Sequence, residues 1–416
     1  MDDGSALTTK LAERLPRHSR GFELFVMIFC PLLNSVAGIV IDLYAPSMPA
    51  IGREFNASAA AMQNTIVIAT FGYAIGQLFF GVLSDWKGRR LSIILGLSLF
   101  CLGSIFAMQV HSLGALLMTR ALQGFSVGSC QVVARAVLVD SISGRRFEVA
   151  VIYLSLAFAI GLIAGPYLGG TIQQTYGWRA NFAFYAAYAC LLLLAAGIGL
   201  RETLAAEARS TPAHVFRIYK EILRNSTFSF NTLQLGLCFI GFTLWNQIGP
   251  DITQRRLAHS PRYFGATALA VGVAYLVGTV TNRLLVSATS YTQRLWGSNV
   301  AFALGALTIA MSGAHVRLLF IVPGVMLCAF SQGVVFPNIL SRGLSFFPDR
   351  AGIAASLLGF GMLIVGSGGL ALARLVEIHS GATIATLYGL LCAASVLSVL
   401  LNSQGQKITR MVSSPR

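Results

Sequence analysis

Residues Phe71 to Phe106 read FGYAIGQLFFGVLSDWKGRRLSIILGLSLFCLGSIF, two apolar runs joined by the charged turn SDWKGRR. A helix needs about twenty predominantly apolar residues to cross the hydrocarbon core of a bilayer. Followed back to residue 61 and on to residue 110, each run reaches that length. A helix this uniformly apolar has no polar face to turn toward water. The unit is therefore two membrane spans with a tight turn between them.

The same alternation runs through the chain and gives twelve candidate spans, at about 22–45, 61–83, 91–110, 114–139, 149–172, 179–200, 228–249, 263–287, 295–312, 317–340, 352–374 and 382–402. Composition agrees: the 416 residues are 55% hydrophobic, 11% charged and include 42 glycines, with a mean hydropathy of +0.71. A soluble domain carries about a quarter charged residues, so water is not the main solvent of this chain. Spans of this kind must be helices, because lipid offers no partner to a free backbone N–H or C=O. The fold class expected is an all-α integral membrane protein of twelve helices in two pseudo-symmetric bundles of six. The first apolar stretch lacks a small-residue cleavage pattern and reads as a retained helix.

The formal charge of +15 would suggest a nucleic-acid binder in a soluble chain. Here the arginines sit in short breaks between apolar runs, so nucleic acid is not an expected partner. With the N-terminus in the cytoplasm, twenty Lys and Arg fall in inside segments and at most seven outside, and the positive-inside rule then puts both termini in the cytoplasm. The longest inside gap divides the chain into a tail (1–21), a six-helix bundle (22–200), a linker (201–227), a second bundle (228–402) and a second tail (403–416). Gln123-Gly124 of the fourth span recurs as Gln332-Gly333 of the tenth, and Gly169-Gly170 of the fifth as Gly368-Gly369 of the eleventh. Both offsets match one six-helix repeat.

The seven cysteines lie in apolar stretches without CxxC spacing, which argues against structural disulfides and a zinc site. No phosphate loop, nucleophile triad or metal-ligand spacing is present, so neither an enzyme nor a bound cofactor is expected.

The turn GVLSDWKGRR carries Gly81, Asp85, Gly88, Arg89 and Arg90 and resembles the helix 2 to helix 3 signature of the major facilitator superfamily. LLMTRALQG, with Arg120, Gln123 and Gly124, is similar to that family's second motif, and GLIAGPYLGG, with Gly161, Gly165, Pro166, Gly169 and Gly170, to the motif of its antiporters. IDLYAPSMP (Asp42 to Pro49) and FPNILSRGLSFFPDRAGIAASLLG (Phe336 to Gly359) narrow the resemblance to drug:proton antiporters of the Bcr/CflA type. The resemblance covers essentially the whole chain. It implies two bundles rocking about a central cavity in a bacterial inner membrane, a monomer driven by a proton gradient, and a small organic molecule as cargo. It also implies a latch in which Asp85 meets the start of the eleventh helix near Ala351 and Gly352, and Arg89 pairs with Asp140. The glycines at 161, 165 and 169 recur every four residues on one face and allow close helix approach. They serve either as a packed seam or, as the resemblance implies, as an influence on antiport.

Protons are read from the residues themselves. Fourteen of the fifteen carboxylates fall in loops, tails or span edges, leaving Asp42 inside a span, and no histidine occupies a span centre. An acid in the bilayer is costly and is a functional hypothesis by default. Arg120 lies at a comparable depth in the outer half, so the two are expected to face each other, either as a proton-coupling pair or as a static salt bridge. Arg135 and Arg283 lie toward the cytoplasmic ends of their spans, where long side chains can reach the interface. Asn34, Tyr73, Gln77, Gln123, Trp245, Asn246 and Phe336 are polar or aromatic positions expected to line the cavity. Asn34 stands where relatives among the drug exporters often carry a further acid, which keeps open a dedicated exporter or importer of one metabolite such as a siderophore, amino-acid derivative or nucleoside. A non-transporting receptor would have little use for a lone acid opposite an arginine.

Overall fold

The computed structural model describes residues 19–205, 210–347 and 351–413. Twelve long helices are present among them: α1 Arg20–Ile39, α2 Ala59–Lys87, α3 Arg89–Met108, α4 Leu113–Ser141, α5 Gly144–Tyr176, α6 Trp178–Gly199, α7 Ser226–Pro250, α8 Pro261–Leu285, α9 Tyr291–Ala310, α10 Leu318–Ser345, α11 Ala351–Ala373 and α12 Gly381–Ser413. A short helix, Met48–Glu54, follows α1, and a linker helix, Pro212–Leu223, precedes α7. Serines open many of these helices. Ser58, Ser112, Ser260 and Ser290 each accept a backbone N–H from the first turn, which satisfies donors that have no helical partner.

Among the described residues, eleven helices are long and apolar enough to cross a membrane. The exception, α9, is also 20 residues long but begins Tyr-Thr-Gln-Arg and carries Ser298 and Asn299. Those two side chains are buried against neighbours. Ser298 and Ser331 of α10 exchange hydrogen bonds of 2.8 Å, and Ser395 of α12 donates to Asn299 at 2.8 Å. The hydropathy lost in α9 is thus polarity facing protein, where it is satisfied, rather than lipid. Large apolar side chains such as Leu24, Ile28, Phe106, Leu194 and Ile198 are exposed on the outside of the molecule, which suits contact with lipid tails.

Helix pairings in the first half repeat in the second. Helix α1 packs on α5 as α7 does on α11, α2 on α4 as α8 on α10, and α3 on α6 as α9 on α12. The repeated Gln-Gly pairs have one physical cause. At Gly124 a side chain would overlap the Ala69 carbonyl of α2, and at Gly333 one would overlap the Tyr275 carbonyl of α8. The second proposed correspondence is looser. Gly169 is pressed against the backbone of Leu43, whereas Gly368 faces open space and Gly369 meets the side chain of Ile240.

The halves touch mainly through α2 with α11 and α5 with α8. The α2–α3 turn, the start of α1 and the linker lie on one face, here termed the linker face; the short helix and the start of α8 lie on the far face. The linker helix is amphipathic. Its buried residues Val215, Ile218, Tyr219 and Ile222 share an apolar cluster with Leu235 of α7, Ile339 of α10 and Leu357 of α11, with Leu78 and Val82 of α2 packed alongside.

The α2–α4 seam gives a direct stability test. Gly76 and Gly128 have backbone of the facing helix where a side chain would begin, whereas Gly114 has open space. Leucine at Gly76 or Gly128 is expected to cost about 1–3 kcal/mol or more, and Gly114→Leu to stay within about 0.5 kcal/mol. Thermal unfolding of the purified variants reads the difference.

Candidate functional site

Helix α1 does not run straight through to residue 45 as its apolar run suggested. It ends at Ile39, and the chain passes through turns at 40–44 and a 3-10 turn at Ala45–Ser47 before the short helix begins. Pro46 and Pro49 lack the backbone N–H that a continuous helix would need. The unwound segment carries Asp42, which is 3% exposed and accepts a hydrogen bond from Nδ2 of Asn246 on α7. The contact joins the two halves near the far face. Close by, Gln254 beyond the end of α7 donates to the Pro46 carbonyl at 3.0 Å.

The expected ion pair between Asp42 and Arg120 is not formed among the described residues. Arg120 is fully buried, donates to the Val40 carbonyl at 2.9 Å and to Oε1 of Gln123 at 2.7 Å, and lies 4.4 Å from the Tyr44 ring centroid. The physical reason is the break in α1. Val40 loses its helical acceptor role where the helix unwinds, and the freed carbonyl takes the guanidinium, with the Tyr185 hydroxyl shared between it at 3.1 Å and the Ile39 carbonyl at 3.0 Å. The arginine therefore supports the segment that bears the acid rather than the acid itself.

The expected cavity residues divide into two groups. Tyr73, Gln77 and Asn246 lie where the halves meet. Gln77 joins Gln131 of α4 and occupies the space beside Gly359 of α11. The others are spent inside their own half. Gln123 also donates to Ser104 at 2.8 Å, Trp245 is fully buried against Phe264 with its indole N–H 3.4 Å from Thr267, and Asn34 donates to the Leu154 carbonyl at 2.9 Å. Phe336 packs in the apolar cluster beneath the linker helix. Residue type and depth could not separate a seam position from a core one, because both are polar or aromatic at mid-membrane. Among the described residues no group of three or more His, Cys, Asp and Glu could hold a metal ion.

The glycines of α5 seat the acid-bearing segment. A side chain at Gly161 would meet Ser35 and Ile39 of α1, one at Gly165 would touch Asp42 and Leu43, and one at Gly169 would overlap the Leu43 carbonyl. Gly170, on the adjoining face, is pressed against Pro261 at the start of α8, and Gly265 of α8 lies against the carbonyl of Pro166. One run of small residues thus receives helices from both halves.

On the linker face, Arg89 makes the expected bond to Asp140, at 2.9 Å, and also binds Ser84 at 3.0 Å and Asp85. The expected seating of Asp85 at Ala351 and Gly352 involves side chains outside the described residues. Gly81 leaves room where Val132 of α4, Ser356 of α11 and Tyr219 of the linker helix converge, each 3.7–3.9 Å from where a side chain would start. Gly88 turns the chain at φ +113°, a conformation L side chains rarely adopt, and its open side is filled by Glu202. Sequence reasoning missed Glu202. Its carboxylate accepts the backbone N–H of Arg89 at 2.8 Å and of Arg90 at 3.2 Å, capping α3 from the linker, while the Arg90 side chain reaches the Gly197 carbonyl of α6 at 3.2 Å. The available signal was an acid two residues past the sixth span, beside a helix that opens on glycine without a capping side chain of its own.

A family model described as Major Facilitator Superfamily matches residues 32–370. The multidrug resistance protein MdtL of Escherichia coli O45:K1 (strain S88 / ExPEC) is 29% identical over 380 residues, covering 91% of this chain and 94% of its own. The uncharacterized MFS-type transporter YdgK of Bacillus subtilis (strain 168) is 27% identical over 83% of this chain and 88% of its own. Among solved structures, a D-xylose-proton symporter superposes with a TM-score of 0.74 at 14% identity, over 90% of this chain and 97% of its own. The nucleoside transporter NupG superposes with a TM-score of 0.70 at 12% identity, over 92% and 99%.

Removing the cap tests the linker-face cluster. Glu202→Ala is expected to speed amide hydrogen exchange at Arg89 and Arg90 and to lower stability by about 0.5–2 kcal/mol. Exchange followed by mass spectrometry checks the first effect and thermal unfolding the second.

Proposed function

This chain belongs to the Major Facilitator Superfamily, and we propose that it is a drug:proton antiporter of the Bcr/CflA type, exporting small organic molecules across a bacterial inner membrane. The observation that carries the reading is Asp42: an acid on an unwound, enclosed segment of a membrane helix, joined to Asn246 of the opposite half. The name of the MdtL relative, multidrug resistance protein, supports efflux. The charge asymmetry of the loops supports a cytoplasmic linker face and cytoplasmic termini.

The mechanism follows from the cost of burying charge. When the far side is open, Asp42 meets the external solution and takes a proton. Closing that side withdraws the carboxyl from water, which is far less costly for a neutral acid than for an anion. The neutral acid keeps the Asn246 amide as donor and can return its own proton to the amide oxygen. Opening toward the linker face then releases the proton to the cytoplasm, and the ionised, rehydrated site is ready for cargo loading and the outward return. Arg120 holds the broken end of α1 so that the acid stays in place through both states. The proton and the outer seal are thereby linked, each biasing the other by the same free energy. Moving one charge through 100 mV supplies about 2.3 kcal/mol.

The latch roles follow the same logic. The Arg89–Asp140–Asp85 cluster and the Glu202 cap stiffen the linker face while it is closed, and the glycines of α5 keep the far-face seam tight against proton leak.

Reconstituted full-length protein under an imposed pH gradient tests the reading. Asp42→Asn is expected to abolish gradient-driven drug movement while leaving passive exchange of the same drug across the membrane. Gradient-driven accumulation that persists in the variant would remove Asp42 from proton coupling.

A further inference from the structure

Arg135 of α4 and Arg283 of α8 are cations within the spans that the proton pathway does not use, and Arg135 is the one beside the seam of the two halves. It lies on α4, about one and a half turns from the linker-face end of that helix, and it is exposed. Arg89 and Arg120, on neighbouring elements, are bound to acids or carbonyls. Arg135 makes no hydrogen bond or ion pair to any described residue. Four acids of the linker face are already committed: Asp85 and Asp140 to Arg89, Glu23 to Arg146 and Glu202 to backbone N–H groups.

The surroundings show which way this side chain faces. Gln131 precedes Arg135 by four residues and so lies one turn above it on the same face of α4. Gln131 accepts from Gln77 of α2. Gln77 in turn fills the space beside Gly359 of α11, in the opposite half. Arg135 therefore borders the seam between the halves on its linker-face side, and Tyr73 lies one turn above Gln77 on α2, on the far side of the Gln77–Gln131 pair. The Tyr73 hydroxyl is buried, stands beside the Gln77 and Gln131 amides, and closes no hydrogen bond; Oε1 of Gln77 is also without a partner.

An exposed arginine with no ion-pair partner among the described residues, followed inward by an unsatisfied hydroxyl, is suited to receiving an anion. We infer that Arg135 and Tyr73 form an acid-binding subsite at the cytoplasmic entrance, and that the cargo of this transporter includes amphiphiles bearing a carboxylate. The carboxylate takes the guanidinium as a bidentate partner and the Tyr73 O–H as a third donor, while the apolar body of the cargo extends along the seam. This names a cargo class for the export reading above and rests on it.

The test uses the full chain in nanodiscs of zwitterionic lipid. Three probes share one ring system: 1-pyrenebutyrate, its primary amide and a pyrenebutyl-trimethylammonium cation. Binding is followed by energy transfer from the protein's tryptophans, with empty discs subtracted. The parent is expected to bind the acid at least about tenfold more tightly than the cation. Arg135→Gln is expected to lower the ratio of acid to amide affinity about tenfold, Tyr73→Phe to lower it severalfold, and Arg135→Lys, which keeps the charge, to retain most of it. A parent that prefers the cation, that binds none of the probes, or whose acid-to-amide ratio survives Arg135→Gln would overturn the subsite. Loss of acid binding when phosphatidylglycerol is added to the discs would assign the guanidinium to a lipid headgroup and overturn it as well. Gradient-driven export of the cation without acid binding sinks this inference and leaves the export reading intact; acid binding without gradient-driven movement does the reverse.

Discussion

A helix end enclosed away from water leaves backbone groups that lipid cannot satisfy, and the buried end of α1 is where the structure meets this constraint. The Val40 carbonyl is the group at stake. It is taken by Arg120 at 2.9 Å and Tyr185 at 3.1 Å, both fully buried side chains from other helices. With those donors in place the chain can turn, present Asp42 to α7 and restart as Met48–Glu54. Without them, the acid would be carried on a segment with no stable course through the membrane.

The same economy governs how the two halves meet. Their contacts fall on α2 with α11 and α5 with α8, and glycines at 170, 265 and 272 let the two halves approach closely there. Polar contacts across the far face are few and local: Asn246 with Asp42, Gln254 with Pro46, and Arg262 with Tyr167 at 2.7 Å. Packing of small residues gives dispersion contact without a directional bond to break. The short-range polar contacts set the register, and the apolar seam supplies the area.

How much of this was legible in the sequence depended on the kind of signal. Long apolar runs identify membrane helices because the bilayer imposes a length, and the runs found in the chain correspond to α1 through α12, with α9 present as a helix although it falls short of the apolarity of the other eleven. The Gly81 to Arg90 turn was readable as a helix junction from its glycines and charges, whereas the bond from Arg89 to Asp140 was what the family resemblance implied. The partner of Asp42 was not. Depth suggested Arg120, but the guanidinium goes to the Val40 carbonyl instead, an outcome decided by where α1 breaks, and the prolines at 46 and 49 were the trace of that break in the sequence. Glu202 escaped for a related reason. It caps a helix more than a hundred residues earlier in the chain, and no local pattern records such a contact.

Helix α9 shows what polarity in a span means for the making of the protein. The Ser298 hydroxyl bonds to α10, and the Asn299 amide oxygen accepts from α12, both synthesised afterwards, while the Asn299 amide N–H is met within α9 by the Leu295 carbonyl. A segment with those groups unpaired partitions into lipid weakly. Its residence in the bilayer is therefore a debt carried during biogenesis, discharged when the following helices leave the translocon and dock beside it, so that the order of translation becomes part of how the second half assembles.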